Sequence, residues 1–390
     1  MFNIVPSKEE KKKLKKIVSN FLDSFKDEKD VEFFVGGSYA KDTWLPGNRD
    51  VDIFVKFNYK LYKDQDISSV LYVILRKKFK DVTVVHGSRD YFHIVVNDII
   101  FEVVPVLDIK KTSEAMNVMD VSPLHVKYIK KKLKKKDDVR KLKFLLKANH
   151  LYGAESYLQG FSGYVSEILV SHYSSFDKVI KAFSSAGDSL FLDPAKHYSS
   201  SKIALKSLNR SKLGSFVLID PVQSDRNAAA GVSLIKLKKF VRLCKDYDGS
   251  DKWFELKEVD VGKLKDYLVL AVKPLEGKRD ISLAKMRALL DRIVREFNYN
   301  GFKVKDYGWD DSHYWFKVGS LSKTVRHYGP SSEFAEHVKV FKSKYGRKVK
   351  VSKNKVYVDL NREFSDPSKF LKSLIKKKFV FEKVEKVKFK

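Results

Sequence analysis

The chain predicts an α+β protein in three parts: a mixed sheet with helices over residues 1–122, a mainly helical central domain over 123–246, and a basic α+β region over 247–390. Three observations carry this. Short apolar runs bounded by turn residues crowd the first part, apolar residues recur at helical spacing through the middle, and strand-like runs return around helices at the end. A chain of 390 residues is long enough for roughly two to four domains, each able to bury its own core.

Taken in order, Ser7 with Glu10 reads as a capping box, and Leu14, Ile17, Val18, Phe21, Leu22 and Phe25 then recur on one helical face. Strands are expected at 33–35, 51–57, 82–85, 92–96 and 99–106, with a helix over 70–79. The middle part shows helical spacing in VRKLKFLLKANHLYG, GYVSEILVSHYSSFDKVIKAF and VSLIKLKKFVRLC. After residue 251 the strand-like runs DYLVLAVKP, FKVKDYGW, HYWFKVGS and VKVSKNKVYVDL alternate with helices over 281–297, 333–344 and 367–377. No internal repeat is evident.

The chemistry concentrates in GGSYAKDTWLPGNRDVDIFV, residues 36–55. Side chains two apart on a strand share a face, so Asp50 and Asp52 project together while Val51, Ile53 and Val55 turn away. Two hard oxygen ligands on one surface suit Mg²⁺. A turn offering the N–H groups of Gly37 and Ser38 suits the phosphates that Mg²⁺ accompanies. In NDIIFEVVPVLDI the apolar run is broken once, at Glu102. A lone strand glutamate is commonly an edge residue, but beside this turn and carboxylate pair it reads as a third ligand.

Composition narrows the partner. With 78 Lys and Arg against 49 Asp and Glu, the net charge of +29 is a strong attraction for a polyanion. No run of eighteen or more apolar residues and no signal-peptide core are present, which argues against a membrane partner. A single cysteine, Cys244, rules out an internal disulfide and fits a reducing cytoplasm, where it is expected on a helix core.

GGS followed by Asp-x-Asp and a later strand carboxylate resembles the DNA polymerase β nucleotidyltransferase superfamily, and within it the archaeal (class I) CCA-adding enzymes, the tRNA nucleotidyltransferases. The resemblance extends through SPLH (122–125), KANHLYGAE (147–155), GFSGY (160–164), DPVQSDRNAAAGVS (220–233) and YGP (328–330). It implies a nucleotidyltransferase domain ahead of the helical part and a tRNA-binding carboxy-terminal region. CTP and ATP would be joined to the tRNA 3′ end with Mg²⁺ as cofactor, the acceptor end and T arm being held by shape. Family members are commonly homodimers. This chain ends short of typical members, at the tail that would grip the tRNA.

The resemblance also assigns residues. Asp50, Asp52 and Glu102 become metal ligands, although the family pattern is Glu-x-Asp with Asp as the third acid, exchanged here. Ser38, Lys41, His125, Lys143 and Tyr152 fall at the family's triphosphate contacts, with Gly37 in the turn and Ser122 a weaker match; Lys41 stands in place of the usual Arg. Arg226 falls at the base-reading position. A guanidinium only donates, so it accepts the ring-nitrogen acceptor shared by cytosine and adenine and rejects the ring N–H of guanine and uracil. Without the resemblance, His125 would be one of nine histidines, Lys143 one lysine on a solvated helix face, and Arg226 an ordinary loop cation beside Asp220 and Asp225. The run YIKKKLKKKDDVRKLK reads either as a solvated face or as a phosphate track. Two alternatives stay open at this point: another polymerase of the superfamily, such as a poly(A)-type enzyme, and a non-catalytic RNA-binding protein.

Overall fold

A computed structural model describes residues 3–256 and 259–390. The chain divides into two compact units, 1–257 and 258–390.

The first unit opens with α1 (Lys8–Asp23), β1 (Val31–Val35), α2 (Gly37–Lys41) and β2 (Asp50–Phe57). After α3 (Tyr59–Tyr62) and α4 (Ile67–Lys78) come β3 (Thr83–Val85), β4 (Tyr91–Val96) and β5 (Ile99–Leu107). The strands form one mixed sheet in the order β1-β2-β5-β4-β3. Only the central pair, β2 and β5, is parallel. Leu14, Ile17, Val18 and Phe21 of α1 and Leu71 and Leu75 of α4 pack on the sheet face that carries Val51, Ile53, Val55, Phe101 and Val103. The alternation in β2 therefore commits its other face, with Asp50 and Asp52, to something else. At the start of α1 Ser7 Oγ accepts from Glu10 N–H at 3.0 Å, but the Glu10 carboxylate accepts from Gly47 N–H at 2.8 Å instead of closing the box.

The helical stretch follows as α5 (Ser122–Lys132), α6 (Lys136–Ala148), α7 (Gly163–Tyr173) and α8 (Phe176–Ser184). A two-stranded parallel pair, β6 (Leu190–Leu192) and β7 (Phe216–Leu218), brackets α9 (Ser201–Ser207), and α10 (Leu234–Asp246) ends the stretch. The apolar run 163–183 breaks where Ser174 adopts a left-handed backbone, φ 70°, and Ser175 caps α8. Phe161, Phe183, Phe216 and Phe240 meet in its core, and Cys244 is buried there.

In the second unit come β8 (Leu268–Pro274), α11 (Arg279–Tyr299), β9 (Val304–Trp309), β10 (His313–Val318) and β11 (Thr324–Ser331). The chain continues through α12 (Ala335–Tyr345), β12 (Lys350–Ser352), β13 (Lys355–Asn361), α13 (Pro367–Leu374), α14 (Lys378–Phe381) and β14 (Val384–Phe389). Its sheets are β14-β8-β10-β9 and β11-β13-β12. The run 349–360 is a hairpin, while β11, interrupted at Gly329 and Pro330, and β14, with Lys386 and Lys388 between its apolar residues, are not among the expected strands. Among the described residues no helix is long and apolar enough to cross a membrane.

Candidate active site

The floor of the site is the carboxylate-bearing sheet face. In the parallel pairing of β2 with β5, Asp52 lies opposite Glu102 and Asp50 opposite Ile100. Neighbours in register share a face, so Asp52 and Glu102 stand side by side, with Asp50 one pleat along and exposed. Below them the same face closes on Phe54, Val104 and Val106 against Val126 of α5. His93 of β4, in register with Glu102, places Nε2 3.4 Å from Glu102 Oε2.

The glycine turn presses on this floor. Gly36 N–H donates to the Asp52 carbonyl at 2.7 Å, and Gly37 has φ +50° with its α-carbon so close to Asp52 that a Cβ would fall 1.6 Å from Oδ2. Any side chain at 37 would displace the carboxylate. Burial and then the adjacent Glu102 push the Asp52 carboxyl up to about 6. A carboxylate pair whose mutual repulsion Lys41 offsets only in part is a donor set that fits a hard divalent cation. Among the described residues, however, no group of three or more His, Cys, Asp or Glu is arranged as a ready metal site.

Two lysines meet on a third acid. Glu167 of α7, 1% exposed, accepts from Lys41 Nζ at 2.5 Å, Lys143 Nζ at 3.0 Å and Thr43 Oγ1 at 2.5 Å. Lys143 Nζ also donates to the Thr43 carbonyl at 3.1 Å. One turn earlier on α6, buried Arg140 donates through Nε to the Trp44 carbonyl at 2.9 Å and pairs with Asp42. The inner face of the lysine-rich segment is thus neither solvated nor a phosphate track: it docks on residues 42–44. Burial alone would raise the Glu167 carboxyl, but Lys143 and Lys41 hold it below the ordinary range. Burial lowers the Lys143 ammonium, opposed by Glu167. Gly163 keeps room here, since a Cβ would sit 2.9 Å from the Tyr152 hydroxyl and 3.5 Å from Lys143 Nζ.

A second buried acid, Asp220, gathers the other predicted residues. It takes Arg226 Nη1 at 2.5 Å and the Tyr164 hydroxyl at 3.1 Å. His125 Nε2 lies 3.1 Å from its Oδ2, within ion-pair range although off the line of a hydrogen bond. The pairing of Arg226 with Asp220 that a plain loop cation would make is therefore real, yet the Arg226 side chain stays 42% exposed.

Gly37, Lys41, Asp52, Glu102, Ser122, His125 and Arg226 line one cleft of about 780 Å³. Asp50, Ser38, Lys143 and Tyr152 are not among its lining residues. Sequence reading missed Glu167 and Asp220 as organising groups, along with Thr43 and Tyr164. The signal for Glu167 was available: it is the lone carboxylate in YVSEILV, as Glu102 is in its own run.

Comparisons with known proteins bear on the family. Residues 12–144 match the nucleotidyltransferase domain family, and residues 137–255 match the family described as tRNA nucleotidyltransferase, second domain. A CCA-adding enzyme of Nanoarchaeum equitans is 33% identical over 99% of this chain and 96% of its own length. One from Saccharolobus shibatae is 31% identical over 83% of this chain and 78% of its own, and one from Pyrobaculum aerophilum 29% identical over 88% and 83%.

Proposed function

The chain belongs to the CCA-adding enzymes, and from that membership we propose that it adds C, C and A to the 3′ end of tRNA without a template, from CTP and ATP. One observation carries the reading at the level of residues: Asp52 and Glu102 stand in register on the floor of a cleft whose walls include His125 and Arg226.

Asp50, Asp52 and Glu102 are the proposed ligands of Mg²⁺. When bound, Mg²⁺ supplies positive charge at the triphosphate and makes the RNA 3′-hydroxyl more acidic. The 3′ oxygen forms its bond to the α-phosphorus, the bond from that phosphorus to the bridging oxygen breaks, and pyrophosphate leaves. Glu102 receives the hydroxyl proton, directly or through water. Lys41 and Lys143 share a single carboxylate, so their cluster keeps a surplus positive charge for the triphosphate, which Ser38, His125 and Tyr152 also hold, with Ser122 beside them. Arg226 donates to the ring nitrogen of C or A.

The proposed organisation within this activity is a catalytic domain over 1–122, a helical substrate-binding domain over 123–246 and a carboxy-terminal body over 247–390 that holds the acceptor end and T arm. A cytoplasmic homodimer is the proposed working form, testable by light scattering. The decisive assay incubates the protein with labelled CTP and ATP and a tRNA lacking its CCA end. Ordered addition of three nucleotides is expected; addition of a long A tract would favour a poly(A)-type enzyme, and no addition with intact tRNA binding would leave only an RNA-binding protein.

A further inference from the structure

Two residues with different proposed tasks meet at one atom. Asp220 Oδ2 accepts from Arg226 Nη1 at 2.5 Å and lies 3.1 Å from His125 Nε2. The other oxygen, Oδ1, accepts from the Tyr164 hydroxyl at 3.1 Å and from the backbone N–H groups of Val222 at 2.9 Å and Gln223 at 3.3 Å. Asp220 is wholly buried and is not among the residues lining the cleft, so it organises others without reaching a nucleotide itself. Burial favours its neutral form, but His125, the Val222 N–H and Arg226 outweigh burial and hold the carboxyl at about 2.

The physical consequence falls on Arg226. An arginine side chain this exposed has many rotamers of similar energy, and a base contact by one of them would lose affinity in ordering it. A charge-assisted bond from Nη1 to a carboxylate that is itself fixed by two backbone N–H groups removes most of that freedom. The guanidinium is a rigid planar fork, so anchoring one nitrogen restricts where the others point. Among the described residues no other acceptor takes Nε or Nη2.

We propose that Asp220 is a positioning residue for base selection: it aims Arg226 into the cleft and, through the same oxygen, ties base reading to His125 at the triphosphate. This rests on the reading that Arg226 faces the incoming base.

The test uses the full chain with a tRNA ending before CCA and each of CTP, ATP, UTP and GTP in turn. Asp220→Asn keeps an acceptor for Val222, Gln223 and Tyr164 but turns an N–H₂ group toward Arg226 and His125, donor against donor. The expected result is a fall of about tenfold in the CTP-to-UTP ratio of kcat/KM, the scale of one base-specific arginine contact. KM should rise severalfold for all four nucleotides through His125. Because Asp220 acts through Arg226, Asp220→Asn should lower the ratio no further in an Arg226→Ala background. Equal losses for all four nucleotides, with the ratio intact while Arg226→Ala relaxes it, would overturn the positioning role alone. An unchanged ratio in Arg226→Ala would overturn the base reading and the proposal with it. Should Asp220→Asn fail to fold, Asp220→Glu keeps the charge and moves it by one methylene; relaxation of the ratio supports the proposal and an unchanged ratio refutes it.

Discussion

The cations around the first unit's cleft and the surface cations of the second unit occupy opposite environments. In the first, Lys41, Lys143 and Arg140 are 9%, 3% and 2% exposed, and each meets a specific acid drawn from a distant part of the chain. In the second, Arg326 and Lys350 are 45% and 60% exposed and share Asp359, and cations lie over surface rings, Arg326 above Tyr357 at 4.0 Å and Lys317 above Tyr267 at 5.4 Å. Helix α12 buries none of its residues, and Tyr328 and Phe334 are more than half exposed. A buried cation has one geometry and one neighbour set, which suits a small ligand whose atoms must be placed. An exposed cation is screened and mobile, which suits a long polyanion that offers many equivalent phosphates. The net charge of +29 therefore conceals two different uses of the same residue types.

The largest effect is expected at the floor of the buried site. Asp52→Asn should reduce nucleotide addition to background while tRNA binding persists, because the chemistry loses a metal ligand. Retention of more than about a tenth of the activity would break the assignment. The same change should stabilise the protein when divalent ions are chelated. With its carboxyl raised from 3.8 to about 6, folded Asp52 keeps a proton that the unfolded chain releases, so stability declines as pH rises from 4 toward 6 and is lowest above it. Thermal melts over that range should show the decline in the parent protein and its absence in Asp52→Asn.

Next in size is Lys143→Ala. It leaves Glu167 with Lys41 and Thr43 but removes buried charge-assisted hydrogen bonds, a loss expected to cost about 1.5–3 kcal/mol in denaturant unfolding. Where the variant still folds, KM for CTP and ATP should rise together with their ratio unchanged, since the triphosphate is common to both. A stability loss near zero would show that Lys143 is not the buried partner of Glu167.

How much of this was legible beforehand follows the range of the interactions. Asp50, Asp52 and Glu102 could be read from alternation within single strands, and the turn from Gly36 and Gly37 beside them. The clasp of Lys143 on Thr43 could not, because the two are 100 residues apart and no local pattern encodes their meeting. Nor could the positions of His125 and Arg226 around Asp220: residues 220 and 226 share a loop, but His125 arrives on α5. Resemblance pointed to His125 and Arg226 and was silent on the buried Asp220 that both of them meet. The capping box failed for a related reason, since Gly47 lies 37 residues beyond Glu10 and competes for its carboxylate. In the second unit, β14 was hidden by Glu385, Lys386 and Lys388, and β11 by Gly329 and Pro330, which interrupt its alternation.

Salt separates the two uses of charge without mutation. If the exposed cations of the second unit track RNA phosphates, tRNA affinity should fall steeply and log-linearly with salt, while KM for CTP at saturating tRNA should change much less. Neutralising several of these lysines together should flatten the slope by about one unit for each RNA phosphate that a lysine no longer meets. Salt-insensitive tRNA binding would place the excess charge outside RNA recognition.

The smallest effect is expected from a single exposed cation, and it sharpens the contrast with Lys143. Lys350 donates to Asp359 Oδ2 at 3.2 Å, but Arg326 Nε reaches the other oxygen at 3.3 Å and both cations are largely in water. Removing Lys350 leaves Asp359 with Arg326 and solvent, so no charge is stranded, and exposed pairs of this kind contribute little. Lys350→Ala should leave the melting temperature and both nucleotide KM values where they are. Its trace should be confined to tRNA affinity at low salt, with a slope shallower by about one if Lys350 meets a phosphate and unchanged if it does not. A clear loss of stability in this variant would break the comparison, because it would mean that the second unit, like the first, depends on individually placed cations.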